Sequence, residues 1–357
     1  YYHYIIYFFT SFIYVADGSE IVCMSLVLPV LQKEWGLSTA MQSFLGSILF
    51  FGIFVGSMLS GKVADRYGRK KAIIYSTLVQ FIAGVISSQA TGVVSFAIFR
   101  GMFGLVIGFT IPLAPAMISE ITPKDLRGKG IVITNFFFSI GKTLGCIIAL
   151  FCLDSLSTGN WRALLIWSSA PALVVCAGIA YFAEESPRFE VIMGNVEEGV
   201  RILNKIGDQN DPNFVPLDTA IENDLKVWRE GIYNEKVVAS TSVLFNEENK
   251  VTTTCLLVMW FGLNIVFYGM VYILPFIFKY YEDATAAAAD PTTATTTTTT
   301  ESSNSGIQNL TITIIGELPS VIVALFIIDR PEFGRKRSLI LAFAASFVMM
   351  LISSAAS

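Results

Sequence analysis

GKVADRYGRKK, Gly61 to Lys71, decides how the rest of the chain is read. Five of its eleven residues are basic and one is acidic, in a sequence that is 54% hydrophobic and 15% charged. A near-copy, DRPEFGRKR, occupies Asp329 to Arg337, so that Asp329 matches Asp65 and Arg330 matches Arg66 at an offset of 264 residues. Long apolar runs flank both copies. A mean hydropathy of +0.62 with 28 Phe in 357 residues does not suit a water-soluble domain. Apolar runs of about 18 residues can cross a bilayer as helices. Nine occur, at 5–31, 42–60, 72–88, 93–118, 131–152, 162–182, 252–278, 307–328 and 338–356. Backbone polar groups cannot stay unpaired in lipid, so each run is expected to be helical. The sequence therefore predicts an all-α polytopic membrane protein.

The charged punctuation predicts its orientation. Basic loops are retained on the cytoplasmic side of a membrane. The loop at 61–71 carries five Lys and Arg, 119–129 carries three and 329–337 carries four, whereas the alternate loops are nearly bare. The N-terminus and the polar segment after the sixth run are thus expected to be cytoplasmic. The chain starts at Tyr1 inside apolar sequence and stops near the end of a ninth run, so both ends are expected to belong to a longer protein. Its five cysteines all fall in apolar runs, where they read as small buried hydrophobes rather than a disulfide framework.

Three regions follow. Residues 1–182 hold six runs and form an N-terminal six-helix bundle. Residues 183–250 form a cytoplasmic central loop, in which Val196, Val200, Leu203 and Ile206 mark a short amphipathic helix. Residues 251–357 form a partial second bundle, helices seven to nine, interrupted at 280–306 by a low-complexity extracellular loop that cannot build a core. The charged copies follow the second and the eighth runs, and this six-span offset implies two related six-helix halves. Nine runs then leave three helices to be supplied.

Several motifs, in order, resemble the major facilitator superfamily. Gly61, Asp65, Arg66, Gly68, Arg69 and Lys70 are similar to its loop 2–3 signature, and Arg100-x-x-x-Gly104-x-x-x-Gly108 to its fourth-helix motif. Glu185-Ser186-Pro187-Arg188 resembles the motif closing helix six of sugar porters. Asp17 to Leu31, Trp260-Phe261 with Tyr268-Gly269, and Gly316 to Arg330 resemble its synaptic-vesicle and organic-ion transporter branch. The second charged copy departs from the first, having Pro331-Glu332-Phe333 where the first has Tyr67 alone. The resemblance implies a major facilitator fold of two six-helix bundles. It also implies a gating latch of Gly61, Asp65, Arg66, Gly68, Arg69, Glu120, Arg127, Glu185 and Arg188, with Asp329, Arg330, Gly334 and Arg335 in the second half. Topology alone is the plainer reading of this loop, but topology does not require Gly61, Asp65 or Gly68. A helix ending at Gly61 and restarting near Lys71, with Asp65 accepting N–H groups at the restart, accounts for them.

Within the spans, ionisable residues are costly and face either a partner or a water-filled cavity. Asp17 and Glu20 share one helical face, and the resemblance implies that a first-helix carboxylate lies near Arg100. These three are the expected proton-coupling residues. Lys142 is a further mid-span charge, to be neutralised by Asp17, Glu20, Glu317 or a carboxylate on a solute. Gly141-Lys142-Thr143 is half of a phosphate-binding loop, but Phe136 stands where the first glycine is needed and no strand precedes it. Lys142, with the stripe Trp260, Asn264 and Tyr268, forms the candidate solute site, although packing explains such a stripe as well. Gly52-x-x-x-Gly56 and Gly104-x-x-x-Gly108 are spacings that admit close helix packing, and Pro112 and Pro115 are placed to kink the fourth span.

His3 is the only histidine, and no cluster has metal-ligand spacing. No enzymatic site, cofactor, metal or nucleic-acid partner is expected. The expected function is secondary active transport of a small organic solute by alternating access, proton-coupled, with an organic anion favoured. The expected partners are that solute, protons and the bilayer. The alternative is a transporter-like subunit that no longer transports and serves within a larger membrane assembly.

Overall fold

A computed structural model describes residues 2–122, 127–211, 213–217, 219–235, 245–288, 305–327, 337–338, 340–345 and 348. The elements, in order, are α1 (Tyr2–Trp35), α2 (Thr39–Tyr67), α3 (Arg69–Ser88), α4 (Val93–Thr110), α5 (Leu113–Ile121) and α6 (Arg127–Cys152). A hairpin of β1 (Leu153–Ser155) and β2 (Thr158–Gly159) leads to α7 (Trp161–Ser169), α8 (Pro171–Phe182), α9 (Pro187–Met193), α10 (Val196–Asn210) and α11 (Thr219–Glu235). Then come α12 (Lys250–Ala288), α13 (Ser305–Ile315) and α14 (Leu318–Ile327). Among the described residues, eight helical stretches are long and apolar enough to cross a membrane. They match the first eight expected spans. Of the ninth, at 338–356, residues 338, 340–345 and 348 are described and are helical; of the stretch expected as a loop at 280–306, residues 280–288 instead continue α12, and 289–304 lie outside the described residues. The antiparallel hairpin, with Leu153 opposite Gly159 and Ser155 opposite Thr158, is the one departure from all-helical structure among them.

Three spans are interrupted where the sequence supplies a cause. The fourth breaks at Ile111-Pro112, between α4 and α5. The sixth breaks at Ala170, with Pro171 opening α8, and the eighth at Gly316-Glu317, just before Pro319. A proline contributes no N–H to the ladder and clashes with the preceding turn. The expected break at Gly61 does not occur. α2 runs on to Tyr67, and Gly68, at φ 95°, is the single hinge before α3. That left-handed φ is open to glycine, and a Cβ here would strike the Glu185 carboxylate.

α1 is buried almost end to end and forms the axis of the first bundle. α6, α7 and α8 pack along it, and α2 packs on α4. The second contact is a close backbone approach. A Cβ on Gly52 or Gly56 would meet the backbone of α4, and one on Gly104 or Gly108 the backbone of α2 at Leu49 and Ile53. Two small-residue rows thus face each other with no side chain between them. Away from these seams, Phe51, Phe54, Met58, Val94, Ile98, Met102 and Phe151 are exposed. That surface would be unfavourable in water and is the normal exterior of a helix in lipid.

α12 and α13 bring the second half against the first, chiefly through α6 and α1. α14 also packs on α6, and at the end away from the basic loops Lys279 Nζ donates to Gln32 Oε1 at 3.2 Å. The other end of α12, including Val251, Leu256 and Trp260, is exposed. α10 docks against the basic end of α1. Its buried face is Val196, Val200, Ile202 and Ile206, with Ile202 lying deeper than the expected Leu203.

The α2–α4 seam separates the glycines that matter for folding from one that does not. Gly104→Val is expected to destabilise the full-length protein by about 1–3 kcal/mol through overpacking. Gly61→Ala should keep or raise stability by up to about 1 kcal/mol, because nothing lies within 4 Å of its Cβ position and α2 continues through it. Thermal melts and monodispersity in detergent distinguish the two variants.

Candidate functional site

The first-helix carboxylates take different partners. Arg100 Nη1 donates to Glu20 Oε2 at 3.0 Å and Ser168 Oγ to Glu20 Oε1 at 2.9 Å, all fully buried. The guanidinium lies against Phe96 and Phe103, 5.5 and 5.0 Å from their ring centres. Asp17 accepts from Gln80 Nε2 at 2.9 Å and, more weakly, from Thr110 Oγ1 at 3.5 Å. No described cation reaches it. The arginine therefore pairs with Glu20, which is the first-helix carboxylate that lies near it. The reason is antiparallel packing. α4 runs opposite to α1, so Thr110, near its basic-side end, meets Asp17, while Arg100, ten residues earlier, meets the acid one turn further along α1. Gln80, on α3, was not expected. A polar residue amid the apolar run 72–88 was the available signal.

Lys142 joins the two halves. Its ammonium pairs with Glu317, to which Ser139 Oγ also donates at 3.2 Å. Phe267 and Phe138 flank the ammonium, 4.7 and 5.6 Å from their ring centres. Of the four expected sources of neutralising charge, Glu317 is the one in place, so no solute carboxylate is needed to balance Lys142 here.

The stripe on α12 divides. Asn264 and Tyr268 line a cleft of about 820 Å³ between α1, α2 and α12, together with Gln42, Phe50 and Tyr272. Trp260 and Lys142, grouped with them from sequence, are absent from its lining. Trp260 is exposed, and Asn264 Nδ2 donates to its carbonyl at 2.7 Å, an intrahelical bond. Tyr272 continues the stripe by one more turn and was missed; Phe50 packs on both tyrosines, at 4.9 and 5.5 Å. Gln42 Nε2 and Tyr272 Oη are buried without a partner among the described residues.

At the basic end, Arg69 Nη2 pairs with Asp65 and with Glu120, each at 3.0 Å, while Nη1 donates to Ala64 O at 3.2 Å. Glu185 Oε1 accepts the backbone N–H groups of Arg69, Lys70 and Ser186 at 2.7, 3.0 and 3.0 Å. Glu185, rather than Asp65, thus caps α3, where a carboxylate also meets the positive end of the helix dipole. Asp65 sits in the last turn of α2 and reaches across the hinge. Arg66 lies over Tyr67, 5.5 Å from its ring centre, and Arg188 is exposed in the first turn of α9. Nothing beyond its own helix lies within 4 Å of where a Gly61 Cβ would stand. All described contacts of this cluster are internal to the first half and its flanking segment. Beside it, Glu184 pairs with Lys205 and Arg201 of α10. Partial burial pushes this carboxyl up, but the two cations outweigh it and hold it below its ordinary value. The side chain of Arg127, and Asp329, Arg330, Gly334 and Arg335, lie outside the described residues.

Two outcomes follow from this geometry. Arg100→Met strands the Glu20 charge and should cost about 3–5 kcal/mol, much of it recovered by adding Glu20→Met; a double-mutant cycle on melting temperature measures this. Glu185→Ala should cost about 1–3 kcal/mol by freeing buried N–H groups. Asp65→Asn, at an exposed pair, should cost under about 1 kcal/mol.

The chain can now be set beside known proteins. The family described as "Sugar (and other) transporter" matches residues 3–357. The synaptic vesicle 2-related protein of Bos taurus is 29% identical over 346 residues, covering 96% of this chain and 60% of its own length. The protein svop-1 of Caenorhabditis elegans is 28% identical over 344 residues, covering 96% of this chain and 63% of its own. This chain therefore spans less than two thirds of either relative. In fold it is similar to the xylose transporter XylE from E. coli in a partially occluded inward-open conformation. That likeness has a TM-score of 0.68 at 20% identity, over 94% of this chain and 75% of that one. The chain belongs to the sugar (and other) transporter family of the major facilitator superfamily, a family of multi-pass membrane transporters and not of enzymes.

Proposed function

We propose that this chain forms the first half and part of the second of a proton-coupled secondary transporter that moves a small organic solute by alternating access. The basic loops and α10 face the cytoplasm in this reading, in keeping with the positive-inside bias. The observation that carries it is the unequal treatment of two buried carboxylates three residues apart. Glu20 has a fixed cation, Arg100, whereas among the described residues Asp17 has an amide and a hydroxyl only. An ionised group at membrane depth needs a neutralising partner, and for Asp17 a mobile proton can serve. Rocking that alters water access to Asp17 then couples proton binding to the motion. In this reading the Arg69 cluster would close the molecule at the basic end in the outward-open state. An organic anion fits this scheme only if its carboxylate displaces Glu317 from Lys142.

Uptake by the full-length protein in proteoliposomes tests the reading. A pH gradient, acid on the side of entry, should drive accumulation by the wild type. Asp17→Asn should abolish accumulation against a gradient and retain solute exchange, since its neutral amide mimics the protonated acid. Wild-type accumulation by Asp17→Asn would overturn proton coupling through this residue, and no uptake of any solute by the wild type would favour a non-transporting subunit.

A further inference from the structure

The Lys142–Glu317 pair spans the seam between the halves, and its two members ride on different bodies. α6 is fixed to α1, because Gly141 and Gly145 sit against the backbone of Val15 and Ser19, so Lys142 moves with the first half. Glu317 occupies the break between α13 and α14 in the second half. Lys142 is fully buried, while the Glu317 side chain is 33% exposed in this chain. When the halves part at this level, each residue loses its one ionic partner among the described residues, in a poorly hydrated setting, which is unfavourable for both. A solute with one charge can relieve one side alone: an anion leaves Glu317 bare, and a cation leaves Lys142 bare. A neutral solute relieves neither.

A solute carrying both charges relieves both. Its carboxylate would take the Lys142 ammonium, with Ser139 Oγ, which already donates to Glu317, free to donate to it instead. Its cationic group would take Glu317 and the ring faces of Phe267 and Phe138, which now flank an ammonium and suit another one. The total charge at the seam is the same with and without solute, so loading adds no net charge to the membrane interior. We infer that Lys142 and Glu317 recognise a small zwitterionic solute, which exchanges for the direct ion pair as the halves separate. This rests on the transport reading above and narrows its substrate class from organic anion to zwitterion.

Equilibrium binding to the purified full-length protein, read by isothermal calorimetry, tests the inference apart from transport. The probes are glycine betaine, β-alanine and γ-aminobutyrate, which separate the charges by one to three methylenes, against choline, propionate and xylose. At least one zwitterion should bind tenfold or more tighter than each of the other three. Lys142→Gln should weaken that zwitterion tenfold or more and shift preference toward choline. Glu317→Gln should shift it toward propionate. The double variant, which leaves no bare charge, serves as the folded control and should lose zwitterion preference entirely. Failure of all three zwitterions to bind, or equal loss of every probe in both single variants, would overturn the inference. Binding without uptake in proteoliposomes would instead count against the transport reading and leave the recognition intact.

Discussion

The bilayer interior tolerates no unanswered charge, and the polar architecture of this protein is a set of answers to that constraint. Arg100 answers Glu20 within the first half, Glu317 answers Lys142 across the seam, and Asp17 is left to an amide and a hydroxyl. In the proposed cycle each answer has a different consequence for motion. The first, internal to one half, would survive rocking. The second would be broken or remade by it. The third would wait on a mobile proton.

Such distinctions matter only if the halves behave as bodies. The interlocked glycines of α2 and α4, and those of α6 against α1, allow backbone-to-backbone approach that large side chains would prevent. The apolar core forms two clusters, one with Leu31 and Trp161 at one end of the first half and one with Tyr2 and Ile206 at the other. Against that stiffness, the breaks at Pro112, Ala170 and Glu317 fall within spans beside the charged sites. Interrupted helices at membrane depth are a recurrent place for transporter sites, because freed backbone groups and side chains can face a cavity there.

At the basic end a different economy of charge operates, since water is close. Asp65 is largely exposed and contributes little to folding, whereas Glu185 is fixed by three backbone donors. A charge in the loop signature can therefore be dispensable for the fold and still matter to gating. The carboxylate that organises the hinge lies 116 residues from the arginine it serves.

By itself the sequence determined the class, the spans, the two-half plan and the residues that must be electrically satisfied. These depend on local composition: apolar runs of bilayer length, basic loops, a repeated motif and isolated charges can all be read without knowing what lies opposite. The small-residue rows were legible for the same reason, since GxxxG spacing sets a helix face. Tertiary structure alone decided the pairings. Whether Arg100 meets Asp17 or Glu20 depends on the antiparallel registration of α4 on α1, and whether Lys142 meets a first-helix acid or Glu317 depends on how the halves dock. The hinge at Gly68 rather than Gly61 was decided the same way, because the Glu185 carboxylate arrives from a distant segment to cap α3. Gln80, Gln42 and Tyr272 carried no motif and became visible only once packing had placed them beside a buried acid or along a cleft. Composition limits which charges need partners, and the packing of helices far apart in sequence selects which partners they find.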